Sequence, residues 1–332
     1  MDSKTLLVTG GAGYIGSHTV RLLNKQGYKI IVLDNLVYGH KEAIVDENVK
    51  LIVGNLGDEN ILNSIFSQNK IDAVIHFAAY AYVGESVTDP AKYYHNNVAA
   101  PLVLLDVMRK HSCTNFIFSS TCATYGNPVY VPIDEKHPQA PINPYGQSKL
   151  MLEKIIEDYN KAYQINYVFL RYFNASGASE DGVIGEDHNP ETHLIPLIIE
   201  AGLGLRQSIT VFGTDYDTPD GTGIRDYIHI LDLGKAHIQA FEYLLKGGKS
   251  IACNLGTGKG YSVKEVIQIV EEVTKLKIPV VYGPRRAGDP ARLVANPQLA
   301  KTALGWEAEY KDLKDTVSTA WKWHNGPNKG KY

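Results

Sequence analysis

Tyr145 and Lys149, in the run Tyr145-Gly146-Gln147-Ser148-Lys149, are the pair whose types and spacing most directly suggest chemistry. On a helix, residues four apart share a face, so Lys149 lies one turn beneath the Tyr145 phenol. A free phenol is a poor base, and a neighbouring ammonium favours its phenolate. A second stretch, Thr9-Gly10-Gly11-Ala12-Gly13-Tyr14-Ile15-Gly16-Ser17, follows an apolar strand and runs into a helix. Glycines at 10, 13 and 16 let backbone approach a pyrophosphate, which the helix N-terminus then faces with its free N–H groups and dipole. Asp34 closes the next strand, at the distance the dinucleotide fold uses for a ribose diol. A carboxylate there accepts from both ribose hydroxyls and repels a 2′-phosphate. Only His40 and Lys41 follow it as candidate cations, with no arginine, so the pattern implies NAD rather than NADP.

The elements that must position these groups alternate. Apolar strands are expected at 5–8, 29–33, 49–53, 73–77, 115–119 and 167–171, with helical spacing at 14–24, 59–68, about 90–110 and 145–163. That order argues an α/β fold, a Rossmann-type doubly wound parallel sheet, whose ligands bind at strand C-terminal ends. Residues 78–82 and 119–125 lie at such ends. A proline-rich loop at 128–144 has the composition of a lid or connector. Beyond Arg171 the alternation degrades, with two loops of turn formers at 174–192 and 214–223 that are long enough to be functional. A strand at 227–230, a helix at 231–245 and a strand at 251–255 read as a return to the sheet. Residues 262–323 read as a smaller mixed α/β substrate lobe.

Composition excludes several classes. At 332 residues, 44% hydrophobic and 21% charged, the chain is an ordinary globule with room for two domains. A net charge of −3 gives no reason to expect nucleic acid or an anionic membrane. The longest apolar run, 194–205, is broken by Pro196, Glu200 and two glycines. Cys113, Cys122 and Cys253 are odd in number and far apart, which fits a reducing cytoplasm and no zinc spacing. The histidines are scattered, His188 and His193 read as loop and surface residues, and no metal is expected.

Several motifs together carry a resemblance. These are the Thr9–Ser17 run, His76-Phe77-Ala78-Ala79 with Val83-Gly84-Glu85-Ser86, Phe118-Ser119-Ser120-Thr121, the Tyr145–Lys149 run, Arg171-Tyr172-Phe173-Asn174 and Arg225-Asp226-Tyr227-Ile228-His229. Over essentially the whole chain they resemble the UDP-glucose 4-epimerase (UDP-galactose 4-epimerase) family of the extended short-chain dehydrogenase/reductase superfamily. The resemblance implies reversible interconversion of UDP-glucose and UDP-galactose by transient oxidation at carbon 4 with bound NAD. It implies that Tyr145 is the base, that Lys149 lowers its pKa and holds the nicotinamide ribose, and that Thr121 takes a role usually given to serine. It places the cofactor on Gly10, Gly13, Tyr14, Ile15, Gly16, Asp34, Asn35, Asn55, Leu56, Phe77, Ala78, Ala79, Asn96, Ser119, Tyr145, Lys149 and Tyr172. It places the UDP-hexose on Thr121, Tyr145, Phe173, Asn174, His193, Leu194, Phe212, Arg225, Arg286, Asp289 and Leu293. Within the segment 288–293, Leu293 falls by ungapped counting at the wall beside carbon 2 of the sugar. Arg225 next to Asp226 has the alternative of a structural ion pair. The implied units are an NAD-binding domain of 1–172 plus 226–256 and a substrate lobe of 173–225 plus 257–332. A homodimer in a cytoplasmic setting is implied as well, formed through the helices at 90–110 and 145–163.

Two positions depart from the family pattern: Asn55 where an aspartate is frequent, and Ala81 where some members have lysine. Rival readings are a 4-epimerase of UDP-N-acetylhexosamines or UDP-pentoses, a dehydratase, and a silent NAD-binding regulator. Dehydration needs an acid–base carboxyl pair beside Thr121, where this chain has Cys122 and Ala123. A silent regulator is expected to lack one of Thr121, Tyr145 or Lys149, and all three are present.

Overall fold

The computed structural model describes residues 3–286 and 289–332. Gly288, part of the segment expected to wall the sugar pocket, lies outside the described residues. Six strands build most of the central sheet: β1 (Thr5–Thr9), β2 (Lys29–Asp34), β3 (Lys50–Val53), β4 (Ala73–His76), β5 (Asn115–Thr121) and β6 (Asn166–Tyr172). The lobe begins with β7 (Asn174–Ser176), β8 (Ile209–Phe212) and β9 (Ile224–His229), and β10 (Ile251–Leu255) then returns to the sheet. The sheet order is β10-β6-β5-β4-β1-β2-β3, every pairing parallel. β1 sits between β2 and β4, the order reversal at which such sheets open a crevice for ligands.

Strand periodicity divides the core between two layers. Leu6 and Val8 face one side with Val20, Leu23, Leu233 and Phe241. That side is covered by helices α1 (Tyr14–Lys25) and, later in the chain, Ile230–Leu245. Leu7 faces the other side with Leu62, Leu104, Leu152 and Ile156. Helix α2 (Glu59–Gln68) lies there, with α3 (Val83–Thr88), α4 (Pro90–Tyr94), α5 (Ala100–Lys110) and α6 (Pro144–Tyr163) following in order. The single helix expected at 90–110 is α4 and α5 joined through a π-turn at His95–Ala99. That extra residue in the turn accompanies the burial of Asn97, whose amide donates to Tyr80 O at 3.0 Å and accepts Tyr80 N–H at 2.9 Å.

The lobe has its own core of Ile195, Ile198, Val211, Tyr227, Val266 and Val317. It gathers α7 (Leu194–Gly202), α9 (Val263–Thr274) and α11 (Leu313–His324), with α8 (Ile230–Leu245) and α10 (Gln298–Leu304) leaning on the sheet side. β9 is its central strand, flanked by β11 (Gly260–Ser262) and β13 (Arg292–Leu293) and also paired with β7. A separate pair joins β8 to β12 (Val280–Gly283). The strand expected at 227–230 therefore starts earlier and joins the lobe, and only β10 rejoins the central sheet. Its apolar residues serve both layers: Tyr227 enters the lobe core and Ile228 the sheet core, so composition alone did not assign it. The 128–144 loop is a fastened connector: buried Ile133 donates its N–H to Val294 O and accepts from Asn296 N–H, both at 2.8 Å.

Candidate active site

Helix α6 starts where its sequence says it should. Asn143 caps it, its side chain accepting the Gly146 N–H at 2.8 Å, and Pro144 fills the first turn, where a missing N–H costs nothing. Gly146 is needed for close approach, because a Cβ there falls 2.5 Å from Ala123 O. This contact presses the start of α6 onto the turn after β5 and brings Tyr145 to Thr121. Thr121, Tyr145 and Lys149 are 6, 8 and 4% exposed, so all three groups are nearly closed to water.

The electrostatics differ from the expectation drawn from spacing. Burial pushes the Tyr145 phenol well above its ordinary value, opposed by the Thr121 hydroxyl. Lys149 is the group brought down, to about 7, because burial disfavours its ammonium more than Glu153 supports it. Its Nζ donates to Ser119 O at 2.9 Å and lies 4.9 Å over the Phe118 ring. Thr121 Oγ1 accepts Ala123 N–H at 3.1 Å, capping the following turn while remaining beside Tyr145. Ser119 and Tyr172 join hydroxyls at 2.9 Å on neighbouring strand ends.

The dinucleotide turn fits the group implied for it. Gly10 has φ +72°, and a Cβ there would fall 2.5 Å from Ala78 N, so the β1 and β4 strand ends close into a backbone cradle. Gly13 begins α1 with no side-chain cap and no acid in the first turn, leaving the N–H groups around Tyr14, Ile15 and Gly16 free for an anion. Asp34 accepts Ala12 N–H and Leu36 N–H, each at 2.9 Å, which orients its carboxylate at the β2 end. Burial raises its pKa, and those two N–H groups oppose the rise. Asn35 donates to Asn55 Oδ1 at 3.1 Å, so Asn55 stands at the β3 end with its amide already oriented, next to buried Leu56. Phe77 and Ala78 both donate N–H to Thr9 O, Ala79 follows them, and Asn96 donates to Asn97 Oδ1 at 2.9 Å.

On the lobe side β9 organises the remainder. Arg225 stands opposite Leu293 in the β9–β13 register, and Asn174 opposite Tyr227. Arg225 is ion-paired with Asp289, not with its neighbour Asp226. Asp226 is buried and accepts N–H groups from Thr257, Gly258 and Ala295, and burial lifts its pKa to about 6. Arg286 lies 4.0 Å over the Phe212 ring, a cation–π contact that places both at one end of the lobe. Leu293 and Cys122 both pack against a small core of Tyr125, Ile133, Phe173 and Ala295, and Cys122 opens the turn that Thr121 caps. Leu194 begins α7, half-buried.

The matching family model, the NAD dependent epimerase/dehydratase family, covers residues 6–256. A UDP-glucose 4-epimerase of Halalkalibacterium halodurans is 52% identical over 319 residues, covering 96% of this chain and 95% of that protein. One of Rhizobium meliloti is 51% identical over 330 residues, covering 99% of this chain and all of that protein. The chain belongs to the UDP-glucose 4-epimerase family. Solved epimerases agree in fold. That of Brucella ovis, in complex with NAD, superposes with a TM-score of 0.94 at 49% identity over 99% of both chains. The epimerase of Bifidobacterium longum, in complex with NAD+ and UDP, gives 0.93 at 41% identity over 98% of this chain and 100% of that one.

Three groups in this epimerase-family chain escaped the sequence reading. Glu153, one further turn beneath Lys149, is fully buried and takes Arg171 Nε and Nη2 at 2.9 and 2.6 Å and Ser120 Oγ at 2.6 Å. The four-residue spacing Tyr145, Lys149, Glu153 was its signal. Lys92 donates to Tyr38 and Glu85 and lies 4.4 Å over the Tyr80 ring. Finally, His188 and His193 are not isolated surface residues. They converge with Glu186 and Glu191 in the loop between β7 and α7, where the carboxylates raise the two imidazoles to about 9 and 10 against the opposing effect of burial. His193 Nδ1 is thereby engaged with carboxylates on the lobe side. All three cysteines are free. No helix among the described residues is long and apolar enough to cross a membrane.

Proposed function

We infer that this chain is an NAD-dependent UDP-glucose 4-epimerase that interconverts UDP-glucose and UDP-galactose. The observation that carries the reading is the enclosed meeting of Thr121, Tyr145 and Lys149, facing a lobe whose Arg225, Arg286 and Phe212 suit a uridine diphosphate. NAD, when bound, supplies the redox chemistry at carbon 4 and returns it in the same cycle, so net redox is zero.

The chain's own residues supply the acid–base work. Tyr145 exchanges the proton of the 4-hydroxyl, Thr121 orients that hydroxyl with its own, and Lys149 stabilises the phenolate from one turn below. Positioned groups of this kind are worth about a hundredfold to ten-thousandfold in rate. Gly10, Gly13, Tyr14, Ile15 and Gly16 hold the pyrophosphate, and Asp34 takes the adenosine ribose. Asn35, Asn55 and Leu56 border the adenine, and Phe77, Ala78, Ala79, Asn96, Ser119 and Tyr172 line the nicotinamide half. Asn174, Arg225 and Arg286 grip the diphosphate, Asp289 takes the uridine ribose, and Phe212, His193 and Leu194 lie at the uracil end. Phe173 and Leu293 bound the sugar. Where a dehydratase needs a carboxyl pair, Cys122 and Ala123 offer none, which favours epimerisation.

The two-unit division at 1–172 plus 226–256 and 173–225 plus 257–332 is kept as a functional one, cofactor on one side and nucleotide sugar on the other, with its boundary at 226 moved past β9, which pairs within the lobe. The chain works in the cytoplasm as a homodimer through the outer faces of α4–α5 and α6, where Met151 is left exposed. Incubating purified protein with UDP-galactose and no added reductant, then resolving the UDP-sugars by anion exchange, tests the activity. UDP-glucose must appear; a 4-keto-6-deoxy product or no turnover overturns the reading.

A further inference from the structure

The loop from 177 to 193 brings three side chains that the epimerase reaction does not explain, Glu186, His188 and Glu191, together with His193 at the edge of the nucleotide site. Glu186, His188, Glu191 and His193 each offer one ligand atom, and these atoms lie within 4.8 Å of one another. His193 Nδ1 is 2.8 Å from Glu186 Oε1 and 3.0 Å from Glu191 Oε1. His188 Nδ1 is 3.2 Å from Glu186 Oε1 and 3.7 Å from Glu191 Oε2. A tetrahedral zinc-type site with nitrogen and oxygen ligands at about 2.0–2.1 Å has ligand–ligand edges of about 3.3 Å. The Glu186–His193, Glu186–His188 and Glu191 Oε2–His188 separations, 2.8, 3.2 and 3.7 Å, bracket that edge.

A second observation separates this cluster from a set of ordinary ion pairs. Glu186 is 3% exposed, and its Oε1 makes no hydrogen bond despite two imidazole nitrogens within 3.2 Å; neither does His188 Nδ1. Buried polar atoms in a native fold are otherwise almost always satisfied. Charge agrees, since two carboxylates and two neutral imidazoles bring minus two to a divalent ion. The filled site is then neutral among the rings of Tyr14 and Tyr82, which meet His188 edge-on at 6.1 and 6.2 Å.

Outer contacts hold the ligands in place, as metal sites require. Glu191 Oε1 is held by the Thr192 and His193 backbone N–H groups at 2.7 and 2.8 Å and by a hydrogen bond with His193 Nδ1 at 3.0 Å, which leaves Oε2, 3.7 Å from His188 Nδ1, as its oxygen free to coordinate. Trp323 Nε1 donates to Glu186 O at 2.9 Å. We propose that Glu186, His188, Glu191 and His193 bind one divalent ion of the zinc class, which fastens the β7–α7 loop against the first turn of the dinucleotide helix. Two nitrogens with two oxygens suit zinc and its first-row neighbours rather than magnesium or calcium, which take oxygen ligands and more of them. Through His193 the ion also sets the start of α7, where Leu194 meets the nucleotide side.

The test uses the full, tag-free chain, stripped with EDTA, loaded with Zn2+ and freed of excess ion by gel filtration. Mass spectrometry of elements is expected to find about one zinc per chain, and a tenfold excess of Mg2+ is expected not to displace it. His188→Gln and Glu186→Gln are each expected to cut retention by more than the roughly tenfold to hundredfold that loss of an outer partner costs. Cobalt loaded into the native chain is expected to give the strong visible bands of a four-coordinate ion, abolished by zinc; this needs no variant. The proposal is overturned by native protein that retains no zinc, by equal retention in native and His188→Gln chains, by displacement with Mg2+, or by a six-coordinate cobalt spectrum.

Discussion

Replacing Glu153 with leucine is expected to unfold much of the margin on which this protein stands. The carboxylate is fully buried, and its oxygens take two hydrogen bonds from Arg171, one from Ser120 and one, at 3.1 Å, from Gln139. Without it the Arg171 guanidinium, itself 4% exposed, keeps only the Tyr125 hydroxyl at 3.1 Å. Stranding one buried charge costs about 3–5 kcal/mol, a large part of a typical 5–15 kcal/mol total. Removing both charges strands neither, so Glu153→Leu/Arg171→Leu should cost far less than the sum of the singles. Ser120 and Gln139 lose their acceptor in either case, which leaves about 1–2 kcal/mol that the double variant does not recover.

The assay is urea unfolding followed by tryptophan fluorescence at one fixed NAD concentration, because bound ligand adds to apparent stability. A double-mutant cycle then gives a coupling of about 4 kcal/mol or more, because two singles of about 3–5 kcal/mol each are set against about 1–2 kcal/mol for the double variant. Two results refute the reasoning: a Glu153→Leu cost below about 1 kcal/mol, or a double variant equal to the sum of its singles. The pair also bears on catalysis. Glu153 is the one charge that supports the Lys149 ammonium against burial, so its loss should push Lys149 further below 7.

Tyr145→Phe should keep UDP binding and lose about a hundredfold to ten-thousandfold in turnover. Thr121→Ser should be mild and Thr121→Val severe, and steady-state kinetics showing full turnover in Thr121→Val would remove Thr121 from the reaction. Leu293, like Cys122, packs against the small core that holds Phe173, and overpacking such a wall costs about 1–3 kcal/mol. UDP-N-acetylhexosamines should therefore be poor substrates, and Leu293→Ser should raise kcat/KM for UDP-N-acetylgalactosamine more than for UDP-galactose; equal values in the native protein would refute the gate. Lys149 has its pKa lowered by burial from 10.5 to about 7, so the folded chain binds fewer protons than the unfolded one between those values. Stability should then rise with pH across that window, the unfavourable contribution being fully present below pH 7. Urea midpoints of Lys149→Met should lack that rise, and an identical pH slope in both proteins would refute the burial effect.

What could be read from the chain was whatever lies within one element's period. Strand alternation, the glycine turn, Asp34 at a strand end and the Tyr145–Lys149 step are each local, and the structure places them at the β1, β2 and β5 ends and the start of α6. What could not be read depends on partners far away. Arg225 pairs across 64 residues with Asp289 rather than with adjacent Asp226, because Asp226 is spent on three backbone N–H groups brought in by other segments. β9 looked like a sheet strand because one of its side chains does enter the sheet core. The balance of charge and burial at Tyr145 and Lys149 is non-local for a related reason. Spacing supplies the distance between two groups on a helix, while burial, fixed by strands laid against that helix, decides which of them gives up its charge. Glu153 shows the limit most plainly, since its four-residue step from Lys149 was visible throughout. A carboxylate in mid-helix reads as solvated until the strand carrying Arg171 is known to lie against it, and only then does the step of four become a stack of three groups acting on one site.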